Sequence, residues 1–129
     1  MKVTYVQLFP GPDGETHFRD VSVPLTLEAV APPAPAYALS PLEPATTSRH
    51  VVFPAHWGAD DRARGILHNA SSARYIAVRS GTMWIKASDG ETRQFKAGDV
   101  LQVLDVAPSK GHTTWVGDDP VVALYSNHP

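Results

Sequence analysis

The sequence predicts an all-β domain, a sandwich or barrel of short strands. Three observations predict it. Strand-forming runs recur at intervals of about 8–12 residues, each bounded by turn-forming residues. Twelve prolines and nine glycines leave almost no window for a long helix. Several runs alternate apolar and polar residues with the period of a half-buried strand.

The elements follow in order. Val3–Phe9 is β-branched and aromatic, and Pro10-Gly11-Pro12-Asp13-Gly14 forces a turn after it. His17–Leu25 alternates weakly. The proline-rich stretch 29–47 predicts an extended arm or loop rather than a core strand. Arg49–Pro54 returns to β character, and Ala55–Gly65 predicts a loop with room for one short helical turn. In Arg74–Arg79, Arg74, Ile76 and Val78 share one face, while Tyr75, Ala77 and Arg79 share the other. Ser80-Gly81 is a tight connection, Thr82–Lys86 a strand, Ala87-Ser88-Asp89-Gly90 an Asp-Gly hairpin turn, and Thr92–Phe95 its returning strand. After a turn at Lys96–Asp99, strands are predicted over Val100–Val106, Thr113–Val116 and Val121–Tyr125. The total is about eight to ten strands.

Composition narrows the function classes. A chain of 129 residues fits a single domain, here divided into N-terminal strands and arm (1–47) and a barrel core (48–127). The net charge of −2 is scattered and offers no basic stripe to phosphates, so nucleic acid is not an expected partner. Without cysteine there is no disulfide, thiolate nucleophile or iron–sulfur site. The uncharged stretch Val21–Leu27 is broken by Pro24 and is far too short to span a bilayer. The expectation is a soluble cytoplasmic protein with no membrane partner.

The run HNASSARYIAVRSG (His68–Gly81) leads through Asp89-Gly90 and FKAGDV (Phe95–Val100) to SKGHTT (Ser109–Thr114). This pattern resembles the cupin superfamily. Cupins carry a first motif of two histidines, a glutamate and a closing glycine. A second motif opens with glycine and ends in a histidine. Gly81 matches the closing glycine, Gly98-Asp99 the second opening, and His112 the second-motif histidine. The resemblance implies a double-stranded β-helix, or jelly-roll barrel, with its chemistry inside. His68 holds the first histidine's place, but Ala70 stands where the second is usual and Arg74 where the glutamate is usual. Only two of the four ligand positions are kept.

Two chemistries fit this thinned set. One is a divalent metal (iron, manganese, nickel or zinc) on His68 and His112, completed by His17, His50 or His56, as in a cupin oxygenase. Arg74 opposes it, because a guanidinium has no lone pair to give and repels a dication. The other is metal-free. Arg74 grips a carboxylate or enolate oxygen, while His112 and His68 serve as acid and base in isomerase, lyase or cyclase chemistry. The same cavity could instead bind a small molecule without turnover. Trp84 is expected on the pocket wall, and Arg74 could alternatively be spent pairing with Asp105. Asp105 either orients His112 or, more commonly for an aspartate entering a loop, caps backbone N–H groups. His17, beside Asp13 and Glu15, is a further candidate ligand-binding residue, and Gly111 beside His112 suggests an unusual backbone angle or close packing. The proline-rich arm at residues 21–47 is the expected means of forming a homodimer.

Overall fold

A computed structural model describes residues 1–129. Eleven strands and one four-residue helix make up the regular structure. They are β1 (Lys2–Pro10), β2 (Thr16–Pro24), β3 (Thr26–Glu28), β4 (Tyr37–Leu39), β5 (Ser48–Phe53), α1 (Asp61–Arg64), β6 (Arg74–Ser80), β7 (Thr82–Ala87), β8 (Thr92–Lys96), β9 (Val100–Val103), β10 (His112–Val116) and β11 (Val121–Asn127). No helix is long and apolar enough to cross a membrane.

Two sheets carry the fold. The larger runs β2-β1-β9-β6-β11-β5 and the smaller β10-β7-β8. From β6 onward the chain winds between them, with β6, β9 and β11 in the larger sheet and β7, β8 and β10 in the smaller. This is jelly-roll order, with β5-β11-β6-β9 as one sheet. A lone antiparallel bridge between His68 and His112 extends the other beside β10. Gly81 makes the β6–β7 corner. Its φ is +81°, and a Cβ there would lie 2.3 Å from the Pro120 carbonyl oxygen. Only glycine meets both conditions without displacing backbone.

Period-two alternation builds the core. On β6, Ile76 and Val78 turn inward, and on β7, Met83, Ile85 and Ala87 do. They meet Phe95, Leu101, Val103, Val116, Val121 and Ala123 in one cluster. The β1–β2 hairpin adds Leu8 and Phe18, so the core draws on the N-terminal strands as well. β1 lies parallel to β9, with Leu8 beside Val103.

Two boundaries differ from expectation. The strand expected over Val100–Val106 stops at Val103: the Leu104 N–H still bonds the Leu8 carbonyl, and Asp105 then turns in to His112. The proline-rich arm holds a small hairpin, β3–β4, pairing Thr26–Glu28 with Tyr37–Leu39. It forms a separate two-stranded sheet and supplies nothing to the core.

Candidate functional site

Between the sheets lies a cavity of about 220 Å³. Ile76, Met83, Ile85 and Val103 form an apolar floor; His68, Arg74 and His112 supply its ionisable groups. The three residues that the sequence nominates for acid/base work therefore line one cavity.

Backbone geometry puts the imidazoles together. His68 and His112 exchange both main-chain hydrogen bonds, each 2.9 Å, as a closed antiparallel pair. Their ring centroids stand 4.6 Å apart. Gly111 permits this approach. Its φ is +77°, and a Cβ there would come within 2.4 Å of the His68 carbonyl oxygen. The unusual angle and close packing suggested by the sequence are both present.

His112 is buried, and its Nδ1 bonds the carboxylate of Asp105, which is itself fully buried. In the neutral ring Nδ1 carries the proton and donates it to Asp105. That tautomer leaves Nε2 with its lone pair. Asp105 thus orients His112, and its side chain does not cap the loop. The loop is held from elsewhere: the Asn69 amide donates to the carbonyls of Asp105 (3.0 Å) and Ser109 (2.7 Å), and Ser109 Oγ donates to the Asp105 carbonyl. Oδ1 of Asp105 has no hydrogen-bond partner, so His112 alone satisfies this buried side chain. As a ligand-binding residue Asp105 is corrected to a positioning one, because it is sealed behind His112 and does not line the cavity.

His68 sits at the mouth, its ring also edge-on to Trp57 at 6.5 Å. Dehydration of its cavity side lowers its pKa below the ordinary histidine value. The neighbouring His112 lowers it further, and Asp105 opposes both.

Arg74 is held but not neutralised. Nε donates to Asn127 Oδ1 at 2.8 Å and a terminal nitrogen to Ser71 Oγ at 2.9 Å. Its guanidinium lies 4.5 Å from the Tyr125 ring centroid. No carboxylate approaches it within ion-pair distance, so the pairing with Asp105 does not occur. Tyr125 lines the cavity too, its phenol pKa raised by burial against the pull of Arg74.

Two nominated residues stand elsewhere. Trp84 was expected on the pocket wall, but strand alternation sends Met83 and Ile85 inward and Trp84 to the opposite face. There it pairs across strands with Trp115, the rings nearly parallel at 6.5 Å. His17 lies on β2 outside the cavity, with Nδ1 2.9 Å from Asp89. His50 is exposed on β5, and His56 stands 3.5 Å from Asp118 at the surface. Sequence reasoning missed Asn69, Ser71, Asn127, Tyr125 and Trp57. Only Asn69 and Ser71 had a signal, their closeness to His68 and Arg74 in the chain.

A metal does not fit these residues. No three histidine, aspartate or glutamate side chains come together anywhere in a group suited to hold an ion. The cavity offers two imidazoles, Ala70 in a ligand's place and the unneutralised Arg74. The orphan oxygen of Asp105 is buried away from the cavity.

No family model matches the chain, and no curated protein does. Among solved structures, it is similar to a provisionally assigned ethanolamine utilization protein Q from Salmonella typhimurium LT2. Sequence identity is 16% and the TM-score 0.45, over 100% of this chain and 98% of the other.

Proposed function

We propose that the cavity takes a small organic anion and moves a proton on it. The observation that carries this reading is Arg74, a cavity-lining guanidinium with no protein counter-ion. A guanidinium has five N–H donors, and protein side chains engage two of them. The rest suit a carboxylate or an oxygen that becomes anionic during reaction.

His112 is the acid/base group. Asp105 holds the ring by Nδ1 and stabilises the imidazolium that forms when Nε2 takes a proton. On a 2-oxo acid the step is simple. The C–H bond next to the carbonyl breaks and its proton goes to Nε2. The electron pair moves to the carbonyl oxygen, which becomes an enolate beside Arg74. Return of the proton at either site gives isomerisation or exchange. His68, its pKa lowered, stays neutral at pH 7 and can accept a hydrogen bond from the ligand.

Proton exchange tests this directly. In D₂O, the wild-type protein is expected to exchange the hydrogens beside the carbonyl of 2-oxobutanoate, followed by proton NMR. His112→Ala abolishes exchange, and Arg74→Gln weakens binding about tenfold or more. Arg74-dependent binding without exchange would leave a binding module and remove the catalytic role. No binding of any small carboxylate would remove both.

Self-association belongs to the same proposal. Leu27, Val30, Tyr37 and Leu42 are all exposed along the arm. A second copy of the chain covering them would make the homodimer, which sedimentation velocity with and without residues 26–39 would detect.

A further inference from the structure

A second space adjoins the cavity across Trp57 and His68. Outside them lies a recess of about 330 Å³, lined by Trp57, Gly58, Ala63, Ile66, His68 and Thr114. Trp57, His68 and Thr114 line the inner cavity as well, so the two spaces share a wall of three side chains.

Their chemistry differs. Arg74 and His112 belong to the inner cavity alone. The recess contains no carboxylate and no lysine or arginine, and its outer part is Trp57, Ala63 and Ile66. Ile66 and Trp57 remain 54% and 39% exposed, so large apolar surface stands open beside the mouth. At about 220 Å³ the inner cavity is smaller than the roughly 300 Å³ at which pockets for larger organic ligands begin.

The recess wall is fixed before any ligand arrives. The Trp57 carbonyl accepts from the Val116 N–H at 2.9 Å, and the His56 N–H donates to the Gly117 carbonyl at 2.9 Å. Gly58, with φ +69°, lets this loop lie directly on β10, for a Cβ there would meet the Thr114 carbonyl oxygen at 2.3 Å. The Trp57 ring packs edge-on to Phe53 at 5.0 Å. A tryptophan held this firmly yet open to solvent is a ready surface for an apolar group.

We infer that the ligand is bipartite: an organic acid whose anionic head sits in the inner cavity and whose apolar tail lies in the outer recess against Trp57 and Ile66. The inference rests on the anion-binding reading and adds the substrate class, an acid with a medium-length alkyl or aryl tail. Trp57 and Ile66 are then its specificity-determining residues.

Calorimetric titration with 2-oxo acids of increasing length tests it, from pyruvate through 2-oxohexanoate to 2-oxooctanoate, with phenylpyruvate beside them. Affinity is expected to rise about two- to fourfold per added methylene once the tail reaches the recess. Ile66→Ser is expected to cut the 2-oxooctanoate-to-pyruvate affinity ratio about tenfold, and it removes a side chain that lies outside the core. Trp57→Ala should cut the ratio at least as far. If short acids bind through Arg74 but affinity ignores length, the bipartite ligand is wrong and the anion site stands. A length dependence that Ile66→Ser leaves intact places the tail elsewhere and also overturns the inference. If no acid binds in an Arg74-dependent way, it is the anion-binding reading that fails.

Discussion

Two histidines of the molecule bond an aspartate through Nδ1. His112 bonds Asp105 through Nδ1 inside the barrel, and His17 bonds Asp89 through Nδ1 outside it. The inner side chains are 8% and 0% exposed, the outer ones 37% and 26%. Only position separates them. The inner carboxylate has exchanged its water for one imidazole, while the outer one can recover water whenever its partner leaves. The inner ring is fixed by a closed backbone bridge and presents Nε2 to a cavity. The outer pair only ties the β1–β2 hairpin to the β7–β8 turn. A histidine–aspartate contact alone is no sign of function; burial and a place on the cavity wall are what set the inner pair apart.

Removing each carboxylate should separate the pairs most widely. Asp105→Ala is expected to lower unfolding free energy by about 1–3 kcal/mol, the cost of leaving the buried His112 N–H without its acceptor. Asp89→Ala should lower it by less than about 1 kcal/mol, as for a solvated pair. Urea unfolding of the two variants checks both. Equal losses would mean that burial does not set their value.

Two glycines sharpen the same contrast. Gly111 and Gly14 have nearly equal φ, +77° and +82°, but a Cβ at Gly14 meets nothing within 4 Å. Gly14→Ala should cost about 1 kcal/mol, the steric penalty of left-handed backbone alone. Gly111→Ala should cost at least twice as much, because the His68 carbonyl must also move. It should also perturb the NMR resonances of the His68 and His112 rings, which Gly14→Ala leaves in place.

Much of the barrel was legible because its strands are half-buried and alternate. Ile76, Val78, Met83 and Ile85 declare their faces in the sequence, and the same alternation would have turned Trp84 outward had it outweighed the expectation that an aromatic near the site lines the pocket. The β3–β4 hairpin was not legible. It has no buried face to impose a pattern, and the prolines around it argue against a strand. The identities of His68, Arg74 and His112 were readable from the cupin resemblance, but their partners were not. Asp105 and His112 are separated by a loop whose path no local propensity sets, so capping, the commoner role for an aspartate entering a loop, was favoured over the orienting role that the fold reveals. Arg74 is held by Ser71 nearby and by Asn127 from the last strand. Its freedom from any carboxylate emerges only when the whole chain is folded.

The smallest effect distinguishes the two regions by pH and salt together. His68, at the cavity, has its pKa lowered first by dehydration. The unfolded chain then binds more protons than the folded one below about pH 6.5, so stability falls as pH drops through the lowered value. Glu15, at the hairpin end, is lowered first by its hydrogen bond from Lys110 and then by that from Ser88. Its contribution is complete above the ordinary glutamate value of 4.5 and is lost as pH falls through the lowered one. Urea midpoints measured from pH 8 to pH 3 should therefore decline in two shallow stages. His68→Gln should remove the upper stage and Glu15→Gln the lower. Salt then tells the causes apart. The Glu15–Lys110 contact is solvent-exposed, so 1 M salt, with a Debye length of about 3 Å, should flatten the lower stage. Dehydration is not screened by ions, so the upper stage should persist. An upper stage that vanishes with salt would show that His68 is governed by the charges around it rather than by the cavity it lines.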